Sequence, residues 1–191
     1  MAFLHNHLVR KILLSVILAW GSLSFYYAST SDFFLFYVIL VVATLGMILI
    51  WYEVAPIFIL LLLSFTSAFA FNTFLFQLNI PLWLIMVGIL IIFGYLFTYT
   101  EQKIGILGNK RLIFLLLFAI IILETFLALT YFLINPIGQS LIIATICYLL
   151  VGYCYTIIAK HTDNRFTTYI LLSVLAIFLI LASASWGGIV W

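Results

Sequence analysis

A chain of 191 residues with 68% hydrophobic side chains, 6% charged ones and a mean hydropathy of +1.41 has too little polar surface to clothe a soluble globule, so lipid must be its solvent. Its net charge of +2 comes from bases at three places, Arg10/Lys11, Lys103/Lys110/Arg111 and Lys160/Arg165, and not from a basic stripe, which argues against nucleic acid as a partner. The polar connections between apolar runs are too short to hold a soluble catalytic domain.

Roughly twenty apolar residues rising about 1.5 Å each cross a hydrocarbon core. Breakers divide the chain into such runs at about 12–31, 33–52, 55–76, 80–100, 112–134, 139–159 and 168–187. The expected fold is therefore all-α, a polytopic membrane bundle of about seven transmembrane helices forming one domain over residues 1–191. The first run follows Arg10-Lys11 as the core of a signal peptide would. It continues through Phe25-Tyr26-Tyr27, however, and Ala28-Ser29-Thr30 is a poor small-x-small cleavage site, so this run is expected to remain as helix one. Trp20 falls at its middle, as a packing residue or a pocket wall. Ser31-Asp32, Glu53 with Pro56, Gln77 to Pro81 and Asn135-Pro136-Ile137-Gly138 mark the next junctions. Proline suits a helix start because it lacks only a donor that the first turn leaves unpaired.

The basic residues set an orientation, since cytoplasmic loops collect Lys and Arg. With a cytoplasmic amino terminus, four crossings precede the 101–111 loop and two more precede 160–167. Every base then lies inside and the carboxyl terminus outside, in the cell membrane, a bacterial inner membrane by preference. Trp51 and Tyr52, Trp83, Tyr99, Trp186 and Trp191 lie near run ends, where amphipathic rings occupy the headgroup boundary.

Small residues at helical spacing predict the packed faces, because close backbone approach does much of the work of holding helices together in lipid. These are Ser15, Ala19 and Ser22 in helix one, Ser64, Ala68 and Asn72 in helix three, Ser140, Ala144 and Cys147 in helix six, and Ser173 and Ala176 in helix seven. Gly46, Gly88, Gly94 and Gly152 are expected to serve close packing too, or to permit a bend. Cys147 and Cys154 are two helical turns apart, roughly 10 Å by rise alone, which is beyond disulfide reach. A register shift of one hundred pairs Ala19 with Ala119, Ala28 with Ala128 and Thr30 with Thr130, a hint of a three-plus-one-plus-three repeat.

Glu124 is the sharpest candidate for chemistry. It lies near the middle of helix five, where an ionisable group costs a few kcal/mol. Helical spacing sets Ala128, Tyr131 and Asn135 on its face, a partly polar stripe running toward the outer surface. The residue reads either as a proton-coupling or ligand-anchoring carboxyl, or as a neutral acid hydrogen-bonded between helices. Asn72 is the second intramembrane polar group and suits interhelical hydrogen bonding; Asp32 and Glu53 read as solvated turn or cap residues. No Gly-x-Ser-x-Gly or His-Glu-x-x-His motif occurs, and His5, His7 and His161 sit in tails or loops. No metal and no cofactor is expected, and the chain is not expected to be an enzyme.

The Ser15/Ala19/Ser22 stripe, with the length and hydrophobicity of the chain, is similar to the vitamin-capturing S components of energy-coupling-factor transporters, which resemble a six-helix arrangement docking through helix one. The stretch from Glu124-Thr-Phe-Leu-Ala-Leu through Asn135-Pro136 to Tyr148-Leu-Leu-Val-Gly152 resembles small polytopic proteins of uncultured, reduced-genome bacteria, a likeness that implies no activity. Two functions follow as expectations. One is a small transporter or ligand-binding membrane component with Glu124, Tyr131, Asn72 and Asn135 at its site. The other is a non-catalytic structural or accessory subunit, whose partners are the bilayer and other membrane chains.

Overall fold

The computed structural model describes residues 7–28, 33–104, 111–131 and 135–158, together with 170, 171, 173–175 and 177. They form six helices: α1 (His7–Ala28), α2 (Phe33–Tyr52), α3 (Pro56–Phe76), α4 (Leu82–Ile104), α5 (Arg111–Tyr131) and α6 (Pro136–Ile158). No strand occurs among the described residues. Five helices, α1, α3, α4 and α5 with the Pro136–Cys154 part of α6, are long and apolar enough to cross a membrane. α2 contributes the shorter apolar stretch Tyr37–Tyr52. The expected seventh helix falls mostly outside the described residues; within it, residues 170, 171, 173–175 and 177 are helical.

Two helix ends reach into sequence that reads as loop. α1 begins at His7, so Arg10 and Lys11 belong to its first turns, and α4 runs through Glu101, Gln102 and Lys103. Glu, Gln and Lys are good helix formers, and the apolar run behind them supplies a helix to extend.

α3 stands at the centre, touching α1, α2, α4 and α6, while α5 closes the bundle against α4 and α6. The central place suits a helix that is apolar or small on every side. From Thr66 to Thr73 every residue of α3 is buried. Ser64, Ser67, Ala68 and Ala70 in this helix leave little side-chain bulk between backbones, so neighbours approach from several directions. On the α6 side Ser140, Ala144 and Cys147 are buried as well.

On α1 the inward residues are Leu14, Leu18, Gly21 and Ser24, and Ala19 is exposed. Ser15 and Ser22 lie at the margin, with Ser22 Oγ donating to the Leu18 carbonyl at 2.8 Å. The inward face thus lies beside the Ser15/Ala19/Ser22 stripe, because Gly21 gives the closest approach to α3. A methyl group at Gly21 would lie 2.6 Å from Thr66 Cβ and 2.9 Å from the Thr66 carbonyl carbon. Trp20 then fits edge-on to Phe71 and Phe74, at 5.1 and 5.5 Å between ring centres, as a packing residue. Added methyls at Gly46 and Gly88 would meet Leu62 and Phe71 side chains, whereas Gly94 has nothing within 4 Å. Ala19 and Ala119, paired in the hundred-residue shift, differ in setting: the first is exposed and the second buried.

Candidate functional site

Polar side chains gather at three places. The first is the end of the bundle where α1 starts, α2 turns into α3 and α4 finishes. His7, Arg10 and Lys11 share a face of α1 through i, i+3 and i+4 spacing. They converge on Glu53, in the α2–α3 turn. His7 Nε2 lies 2.6 Å, an Arg10 terminal nitrogen 3.6 Å and Lys11 Nζ 4.0 Å from Glu53 Oε1, and Lys103 Nζ of α4 pairs with Oε2.

The surroundings hold these bases in place. Arg10 lies 5.3 Å over the Tyr99 ring, donates to Gln102 Oε1 at 3.5 Å, and accepts at its carbonyl from the Tyr95 hydroxyl at 3.4 Å. Lys11 Nζ donates to the Trp51 carbonyl at 2.6 Å. The turn itself is tight: Glu53 and Ala55 have φ of 54° and 55°, left-handed values that cost a residue other than glycine on the order of 1 kcal/mol. Pro56 then opens α3. Burial pushes the Glu53 carboxyl up, but Lys103 and His7 together outweigh it and hold the group below the usual carboxylate range.

Glu53 is thus a clamp joining three segments, with its side chain only 14% exposed, where the sequence suggests a solvated turn residue. A usable signal was present in the sequence: once α1 is started at His7, three bases fall on one face at the end of the bundle that holds the Glu53 turn. Nearby, Arg111 Nε lies 3.1 Å from Glu101 Oε2 and ties the start of α5 to the end of α4. No group of His, Cys, Asp and Glu suited to a metal ion occurs among the described residues.

The second place lies toward the opposite end, along the seam of α3 and α6. Asn72 Nδ2 donates to Ser140 Oγ at 3.5 Å, and both residues are fully enclosed. Gln139 Nε2 donates to the Leu129 carbonyl at 3.0 Å, joining α6 to α5. Asn135 caps α6: its Oδ1 accepts the Gly138 N–H at 2.6 Å, satisfying a donor that the first helical turn leaves free. Cys147 and Cys154 are free thiols, both buried.

The third place is the outward side of α5. This helix turns Phe118, Ala119, Ile122, Phe126 and Leu129 into the core. Its other side exposes Ile113, Leu117, Ile120, Glu124, Ala128 and Tyr131, the last at 84%. Glu124 has no hydrogen-bond or ion-pair partner among the described residues. Glu124 and Tyr131 therefore share a face, but that face looks out of the bundle. Asn72 is enclosed between α3 and α6, and Asn135 caps α6, so the four residues expected at one site fall at two of these three places.

No protein-family model matches the chain, and neither a curated protein nor a solved structure proved similar to it. The two likenesses drawn from the sequence find no counterpart in these comparisons, and function rests on the chain's own residues.

Proposed function

We propose that this protein is a non-catalytic, multi-pass membrane component that assembles with another membrane chain through the outward side of α5. The supporting observation is the position of Glu124: at mid-helix, exposed, among exposed apolar side chains and without a partner among the described residues. A carboxyl left in hydrocarbon costs a few kcal/mol, a cost reduced by about 1 kcal/mol when a neighbouring helix supplies a hydrogen bond. A transport path lined by Glu124 would instead turn the carboxyl inward between helices. In this reading the chain crosses the membrane seven times, with its amino terminus and all its basic residues on the cytoplasmic side.

The test is the size of the particle in a mild detergent. The wild-type protein is expected in an assembly larger than one 21.8 kDa chain, and Glu124→Leu should reduce it. A wild-type monomer, or proton flux in vesicles that Glu124→Gln abolishes, would overturn the assembly reading in favour of transport.

A further inference from the structure

We infer that the chain covering this face is a second copy of the protein, joined by a parallel α5–α5 contact in which the two Glu124 carboxyls hydrogen-bond to each other; this rests on the assembly reading above. Three observations carry it. The exposed residues Ile113, Leu117, Ile120, Glu124, Ala128 and Tyr131 follow one another at spacings of four and three, which keeps one seam facing a parallel partner helix. Ala128, one turn beyond Glu124, is small enough for two backbones to come close.

The third observation is chemical. Every copy inserts with the same orientation, so a two-fold axis along the membrane normal sets each α5 residue opposite itself, at equal depth. Glu124 then meets Glu124. A protonated carboxyl carries one O–H donor and a carbonyl acceptor, so two of them complete each other with no further group. No Lys, Arg or His lies between Arg111 and Lys160 to offer an ion pair from within this stretch of the chain.

The experiment uses the full-length protein in lipid bilayers. Two differently tagged copies should purify together. Single cysteines at Ile120→Cys or Ala128→Cys, with Glu124 intact, should cross-link as homodimers under mild oxidation, while Val41→Cys, exposed on α2, should not. The native Cys147 and Cys154 are buried and should stay silent. Glu124→Gln keeps a donor and an acceptor and should preserve the dimer, whereas Glu124→Leu should weaken self-association about tenfold. Because Glu124 is exposed, neither change disturbs the core.

Equal cross-linking at Val41→Cys, or a dimer indifferent to Glu124→Leu, would overturn the inference. A photo-reactive residue at position 120 separates the two readings. Attachment to a different membrane chain alone rejects the second copy and leaves the assembly reading standing. Attachment to lipid alone rejects both.

Discussion

The His7 imidazole lies 2.6 Å from the Glu53 carboxylate, so the first turn of α1 is fastened to the turn between α2 and α3. Lys103 brings the end of α4 to the same carboxylate. Removing the carboxylate leaves several bases facing one another in a partly buried site, and Glu53→Ala is expected to cost about 2 kcal/mol, with Glu53→Gln costing less. Thermal unfolding in micelles checks this; an unchanged melting temperature for Glu53→Ala would show that the cluster is ornamental. The pH dependence has a definite sign. A carboxyl held below its unfolded value of 4.5 contributes in full above that value, and the contribution is lost as pH falls through the lower folded value. The wild-type melting temperature should therefore drop below about pH 4.5 more steeply than that of Glu53→Gln.

Gly21 and Gly94 form a contrasting pair. Any Cβ at Gly21 meets the backbone of Thr66, which cannot move aside as a side-chain tip could. Gly21→Leu is expected to separate α1 from α3 and destabilise the protein by about 2 kcal/mol or more. At Gly94 there is open space, so Gly94→Ala should be neutral or stabilising by about 0.5–1 kcal/mol through helix propensity. Parallel melts of the two variants decide the matter. Similar losses for both would mean that the α1–α3 contact is not where stability resides.

Asn135 caps α6 through its side-chain oxygen. Asn135→Ala should cost about 1 kcal/mol by freeing the Gly138 N–H, and Asn135→Asp should restore most of it, because an aspartate oxygen accepts the same hydrogen bond. Hydrogen exchange at the first turn of α6 reads this directly. Faster exchange confined to that turn in the alanine variant is the expected result, and no difference between alanine and aspartate would refute the cap.

Topology can be read with reporter fusions. Fusions after Thr30, Glu101, Asn135, Lys160 and Trp191 are expected to report outside, inside, outside, inside and outside. The Glu53 clamp and the Glu101–Arg111 pair gather the ends of α1, α2, α3, α4 and α5 at one side, which the fusions assign to one or the other face of the membrane. A reporter after Trp191 that reads inside would remove one crossing from the count.

The amino-acid sequence by itself determined the helical class of this protein and the approximate limits of the described helices, and made lipid the expected solvent. Length and hydropathy are properties of a stretch of chain, and lipid forces each such stretch to satisfy its own backbone as a helix. Only the tertiary structure decided which side of each helix looks inward. In helices apolar on nearly every side, hydropathy distinguishes no face, and shape takes over. The fit of Gly21 against Thr66 rotates α1 away from the Ala19 stripe. The large side chains Phe118, Ile122 and Phe126 claim the core side of α5 and turn Glu124 outward. Glu53, likewise, became a clamp only when folding brought to it the α1 face of His7, Arg10 and Lys11 and, from α4, Lys103, segments too far apart in the chain for a local pattern to join.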